Sequence, residues 1–71
     1  MSHSHPNFKR ISQRIREMRK NKGITQEQLA EYVDVNIRFI AYVEAGIKKP
    51  SFTTLFRIAE ALGTTIDPLT Y

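Results

Sequence analysis

The sequence contains no cysteine among its 71 residues and only two histidines. A disulfide framework of the kind that stabilises small secreted domains is therefore excluded. A four-ligand structural zinc site would need carboxylate ligands in addition to both histidines. We expect the protein to carry no metal and no other cofactor.

Long apolar runs are also missing. The longest stretches of consecutive apolar residues have only a few members, far fewer than the roughly 18 that cross a bilayer. The first seven residues, MSHSHPN, lack the apolar segment of a secretory signal. We therefore expect a soluble cytoplasmic protein with no membrane partner, in which residues 1–7 are a disordered tail and residues 8–71 form one small domain.

The side-chain arrangements on which enzymes depend are absent as well. The sequence has no cysteine nucleophile, no Gly-rich phosphate-binding loop and no evident pair of catalytic carboxylates. His3 and His5 both fall in the expected tail, so no general base would be held rigidly beside a serine. The sequence predicts a binding protein and no catalytic residues.

Positive charge is concentrated in the first third of the chain. Residues 1–24 contain seven Lys or Arg and one Glu, a net charge of +6. Residues 25–47 contain one Arg and four acidic residues, a net charge of −3, and residues 48–71 contain three basic and two acidic residues, a net charge of +1. This distribution favours an anionic partner such as nucleic acid or an acidic membrane surface, and a merely solvated face is the alternative.

Apolar residues recur at helical spacing at the start of the expected domain. Phe8, Ile11, Ile15 and Met18 follow one another in steps of three and four, which is one stripe of an amphipathic helix. Gly23 suits the left-handed position that ends such a helix. The pattern predicts a first helix over most of the basic segment.

Good N-cap residues divide the remainder of the chain into further short helices. The candidates are Thr25, Asn36 and Ser51. A last turn is expected from Thr64 or Thr65, and no segment shows the alternation of a strand. The sequence therefore predicts an all-α fold, a compact bundle of about five short helices, with the third helix over about residues 36–45.

The second and third helices, joined by a turn of about three to four residues, have the layout of a helix-turn-helix. At about 100° per residue, the side of the third helix opposite the core presents Arg38, Ala41 and Tyr42. Ile37 and Phe39 lie on the two shoulders of that arc. The third helix therefore exposes apolar residues around a single cation. Binding of a partner to this arc would explain why these residues are exposed.

The ordered motifs TQEQLAEYVDVNIRFIAYVEAG and KKPSFTTLFRIAEALG resemble the phage-repressor and Cro-type (xenobiotic-response-element-like) family of helix-turn-helix proteins. The resemblance covers roughly residues 11–69. It implies a transcriptional repressor that binds a palindromic operator in double-stranded DNA as a homodimer, with the third helix in the major groove. It also implies a bacterial or phage-type, nucleoid-associated protein, for which we expect no small-molecule effector domain.

The resemblance assigns base contacts to the outward arc of the third helix. Arg38 suits a bidentate contact to guanine, Ile37 and Ala41 suit thymine methyl groups, and Tyr42 suits a base edge or a phosphate. Ala41 stands where the family commonly has Ser, which removes a hydroxyl contact. We expect direct reading of few bases and more dependence on DNA shape.

Phosphate contacts are expected at helix ends and in the loop after the third helix. Gln26 matches the family's phosphate-contacting Gln, at a helix N-terminus that attracts anions. The full set of expected phosphate contacts is Gln26, Asn36, Phe39, Lys48 and Lys49.

Two further groups of residues are expected to hold the fold or the dimer together. Arg19 and Glu44 match the family's internal ion pair between the first and third helices, and Asp34 stands where Gly is usual, which strains the turn. A patch with more apolar surface than so small a core needs is expected to form the dimer contact. Its members are Phe52, Phe56, Ile66, Leu69 and Tyr71.

A different class of function is also open at this point. The exposed apolar residues of the third helix suit a protein-interaction module that binds an antitoxin-like partner. Salt dependence distinguishes the two, because DNA binding weakens steeply with salt as counterions are released.

Overall fold

The computed structural model describes residues 8–65. This range contains four α-helices and no strand, which confirms the all-α fold class. The helices are α1 (Phe8–Lys22), α2 (Gln26–Val33), α3 (Ile37–Glu44) and α4 (Phe52–Ala61). The expected tail and most of the expected last turn lie outside the described residues, as do three predicted members of the dimer patch, Ile66, Leu69 and Tyr71.

Each of the last three helices begins after the N-cap residue that the sequence predicted. At α2 the Thr25 hydroxyl accepts the N–H of Gln28 at 3.0 Å, and the Gln28 side chain accepts the N–H of Thr25 at 2.8 Å. The side chains of Asn36 and Ser51 cap α3 and α4. Because these caps satisfy N–H groups that a helix cannot satisfy itself, each is worth about 1 kcal/mol.

The core is one cluster of aliphatic side chains to which all four helices contribute. α2 packs against both α3 and α4, and α1 packs against α3. Burial of each large member contributes on the order of 1.5–3 kcal/mol. The most deeply buried members are Ile15, Leu29, Val33, Ile40, Val43 and Ile58. This packing anchors α3 by one side and leaves its other side to solvent.

The turn between α2 and α3 passes through a left-handed residue. Asp34 has φ 66°, and the other positive-φ residues in the described range are glycines. The N–H of Val35 then donates to the carbonyl of Ala30 at 2.9 Å, which closes the end of α2 and lets α3 begin two residues later. Asp tolerates this backbone region better than most residues, but it still costs roughly 1 kcal/mol relative to Gly.

Replacing Asp34 with glycine should therefore stabilise the fold. We expect the free energy of unfolding to rise by up to about 1 kcal/mol, since glycine has no Cβ to clash, although the more flexible unfolded chain offsets part of the gain. The same substitution at Glu31, exposed within α2, should lower it by about 1 kcal/mol. Urea unfolding followed by circular dichroism measures both, and equal destabilisation of the two variants would contradict this account of the turn.

Candidate nucleic-acid interface

A buried ion pair joins α1 to the end of α3. Arg19 Nε donates to Glu44 Oε2 at 2.6 Å and Arg19 Nη2 donates to Glu44 Oε1 at 3.1 Å. The two side chains are 10% and 2% exposed. Arg19 Nη1 also donates to the carbonyl of Ile24 at 2.8 Å, in the loop before α2. The ion pair expected from the sequence is present, and it holds α1, α3 and the intervening loop in one arrangement.

Gln26, the first residue of α2, joins this network. Its Nε2 donates to Glu44 Oε1 at 3.1 Å, so the carboxylate accepts three hydrogen bonds. These bonds offset the desolvation of a charge that would otherwise be costly to bury. They also hold the Gln26 side chain at the N-terminus of α2, where backbone N–H groups lack intrahelical partners. The sequence predicted Gln26 as a phosphate contact and did not predict its bond to Glu44.

The four predicted base contacts lie together on the solvent side of α3. Ile37 and Tyr42 are 45% and 46% exposed, Arg38 is exposed and Ala41 is half-buried. Within residues 8–65 the Arg38 guanidinium has no ion-pair partner. The arc thus presents one unpaired cation flanked by apolar surface.

Two of the predicted phosphate contacts serve α3 itself. Asn36 Oδ1 accepts the N–H of Arg38 at 2.8 Å, so only the NH₂ group of Asn36 remains for a phosphate. Phe39 is half-buried against the core, and its N–H donates to the carbonyl of Asn36 at 2.9 Å. Because Phe39 has no polar side-chain atom and its N–H is engaged, we assign it to packing and not to phosphate binding.

The loop after α3 turns back toward that helix. Gly46 has φ 77°, and the N–H groups of Ile47 and Lys48 both donate to the carbonyl of Tyr42, at 2.9 Å and 3.2 Å. Lys48 and Lys49 are exposed. The two predicted lysines are therefore held close to Tyr42, at the C-terminal end of the arc of predicted base contacts on α3 (the base-contact arc).

The described part of the predicted dimer patch is exposed on α4. Phe52 and Phe56 are 72% and 50% exposed, and they line a groove of about 430 Å³ together with Ala59 and the residues that follow α4. Sequence reasoning missed two other exposed apolar side chains, Tyr32 and Ile47. Tyr32 lies near the end of α2 and Ile47 lies in the loop after α3, so neither belongs to a hydrophobic stripe that shows which side is buried.

Comparison with known proteins places this architecture in a family. A helix-turn-helix family model matches residues 15–69. An HTH-type transcriptional regulator of Methanothermobacter thermautotrophicus is 51% identical over 49 residues, covering 69% of this chain and 71% of the relative. The immunity repressor protein of Bacillus phage phi105 is 36% identical over 59 residues, covering 83% of this chain and 41% of the repressor.

Solved structures have the same fold. The restriction-modification controller protein C.AhdI from Aeromonas hydrophila superposes with a TM-score of 0.85 at 29% identity, covering 92% of this chain and 98% of the controller. SinR, the master regulator for biofilm formation, was solved in complex with DNA. It superposes with a TM-score of 0.78 at 30% identity, covering 83% of this chain and 95% of SinR.

These matches define the class of protein. It is a DNA-binding helix-turn-helix transcriptional regulator and not an enzyme. The chain belongs to the Cro/C1-type helix-turn-helix family, whose members include phage repressors. None of the helices within residues 8–65 is long and apolar enough to cross a membrane.

The buried network predicts a large cost when Glu44 is replaced by alanine. Because Arg19 would keep its charge in a buried site without its partner, we expect the free energy of unfolding to fall by about 3–5 kcal/mol. Glu60→Ala is the matched control, since Glu60 is exposed on α4 and its loss should cost less than about 1 kcal/mol. An unchanged melting temperature in Glu44→Ala would show that the pair does not stabilise the fold.

Proposed function

We propose that this regulator is a sequence-specific repressor that binds a palindromic operator as a homodimer, with α3 in the major groove of double-stranded DNA. One observation carries the proposal: α3 is anchored on its inner side and presents, in an exposed arc, an Arg38 guanidinium that pairs with no carboxylate of residues 8–65. A helix of ordinary diameter fits a major groove about 12 Å wide. The arc would then face the edges of the base pairs.

The chemistry of the arc supports guanine and thymine as the bases that are read. The Arg38 guanidinium offers paired donors that match the O6 and N7 acceptors of guanine. Ile37 and Ala41 offer only apolar contact, and the thymine methyl group is the apolar group that a major groove displays. The Tyr42 hydroxyl can donate to a base edge or to a phosphate.

Groups around the arc are suited to hold the DNA backbone. Gln26 lies at the N-terminus of α2, the Asn36 NH₂ group lies at the start of α3, and Lys48 and Lys49 follow its end. Backbone contacts of this kind position a protein on the duplex and carry no sequence information directly. The DNA complex of SinR and the repressor role of the phage phi105 relative support the same use of the fold here.

A homodimer would account for the exposed aromatic side chains of α4. Phe52 is 72% exposed and Phe56 is 50% exposed. Exposed aromatic side chains that lie together are unfavourable in water, so such a patch indicates a binding surface. A two-fold contact through this patch would pair two copies of α3. Their half-sites would then lie about one helical turn of DNA apart.

Selection of bound duplexes from a random pool tests the whole proposal. We expect a recovered palindrome whose half-sites have centres about 10 base pairs apart. Each half-site should contain a guanine next to thymine-rich positions. Recovery of no sequence preference at any salt concentration would overturn the proposal.

The exposed apolar surface of α3 also keeps a second function open, a protein-interaction module with an antitoxin-like partner. Ile37 and Tyr42, each nearly half exposed, are the observation that favours it. Affinity for a protein partner through these residues would change little with salt, whereas affinity for DNA would fall steeply because bound counterions are released. A titration at several salt concentrations separates the two.

Replacing Arg38 with alanine should reduce discrimination as well as affinity. We expect a loss of about 1–3 kcal/mol on the selected operator, with preference relaxed at one base pair in each half-site. Arg57→Ala, which removes an equally exposed cation from α4, should leave the base preference unchanged. Fluorescence anisotropy on a panel of single-base variants measures both, and a uniform loss on every duplex would remove Arg38 from the base-reading set.

Replacing Phe52 or Phe56 with aspartate should dissociate the dimer, because a charge would be placed inside an apolar contact. Tyr32→Asp is the matched control, since Tyr32 is an aromatic residue exposed elsewhere on the surface. Sedimentation at micromolar concentration should give a dimer for the unmodified protein and the control, and a monomer for the Phe variants. A monomeric unmodified protein would be incompatible with this patch as the dimer contact.

A further inference from the structure

A small polar cleft opens where α1, α2 and α3 meet. Its volume is about 150 Å³. The lining residues are Arg16, Arg19, Gln26, Ala41, Glu44 and Ala45. The cleft therefore lies between the buried ion pair and the edge of the base-contact arc, to which Ala41 belongs.

Two of the lining residues on α3, Ala41 and Ala45, have small side chains. The Arg19–Glu44 pair also lines the cleft, and the two charges of the pair cancel. Arg16 therefore supplies the net positive charge of the cleft.

Arg16 is placed on the side of α1 that faces α3. It lies three residues before Arg19, which at about 100° per residue puts the two about 60° apart on the helix. Arg16 is exposed, and within residues 8–65 it has neither a hydrogen-bond partner nor an ion-pair partner. A guanidinium with five donors thus lines a cleft that Gln26 also lines.

We propose that Arg16 and Gln26 together hold one backbone phosphate of each half-site in this cleft, so that α1 is a third DNA-contacting element beside α2 and α3. This inference rests on the proposed DNA-binding function. Guanidinium groups bind phosphate oxygens in a bidentate manner, which gives orientation as well as attraction. The Gln26 side chain is already oriented by its bond to Glu44 at 3.1 Å, so little ordering is needed when DNA binds. The phosphate contact sets how closely the Ala41 edge of α3 approaches the bases.

The first test compares Arg16→Ala with Arg10→Ala. Both remove one exposed cation from α1, but Arg10 lies about 120° further round the helix and does not line the cleft. For Arg16→Ala we expect affinity for every duplex to fall about five- to tenfold. The slope of log affinity against log salt should decrease by about 1 for each half-site, which is about 2 for the dimer. Arg10→Ala should change affinity less than twofold. Equal effects of the two substitutions would reduce Arg16 to a contribution to net charge and overturn the proposal.

The second test identifies the phosphate. Each backbone phosphate of the selected operator is replaced in turn by an uncharged methylphosphonate, and binding of the unmodified protein, Arg16→Ala and Gln26→Ala is measured. At one position in each half-site we expect the replacement to weaken each variant less than it weakens the unmodified protein, because each variant has already lost one of the two contacts to that phosphate. Losses that simply add at every position would overturn the proposal.

The two tests separate the failure of this inference from the failure of the proposed function. If the unmodified protein binds no duplex, DNA binding itself is refuted. If it binds a preferred duplex and Arg16→Ala behaves like Arg10→Ala, only the role of Arg16 is refuted. Circular dichroism of all variants checks that the fold is retained, as expected for an exposed side chain.

Discussion

The placement of α3 depends on one buried carboxylate. Glu44 accepts hydrogen bonds from Arg19 on α1 and from Gln26 on α2, and the same arginine donates to the loop between those helices. A buried ion pair adds little net stability compared with apolar side chains of the same shape. Its directional bonds nevertheless fix how three segments face one another, which an apolar contact would do less well. We infer that the pair is retained for geometry more than for stability.

The helices could be predicted from the sequence because their signals are local. Thr25, Asn36 and Ser51 cap helices in the structure as their residue types indicate. The Arg19–Glu44 pair could be predicted only through the family resemblance, since its members are far apart in sequence. The Gln26 bond and the cleft beside Arg16 could not be predicted. A helical wheel gives angles within one helix, and these features depend on how two or three helices face one another.

The fold explains how a chain with an acidic middle third can still present cations to DNA. The middle third of the chain is acidic overall, and net charge alone would therefore count against DNA binding by this segment. Glu44, however, is neutralised inside the protein, and Glu27, Glu31 and Asp34 are exposed on α2 and the turn. Among the residues that the structure describes, Arg38 beside the α3 arc and Arg16 beside the cleft have no ion-pair partner. Local placement of charge, and not its total over a segment, decides which surface attracts a polyanion.

The arc on α3 has too few polar groups for direct base contacts alone to account for the specificity of a typical operator-binding protein. A single good bidentate contact is worth about 1–3 kcal/mol of discrimination, whereas operators are typically preferred over other DNA by about 4–10 kcal/mol. Arg38 alone therefore falls short, and Ile37 and Ala41 add only methyl contacts. In the proposed dimer, two half-sites would double the contribution of each contact, and DNA shape would supply discrimination without base contacts. An arc with so few polar groups is consistent with regulation only if the backbone contacts are rigid and the protein binds as a pair.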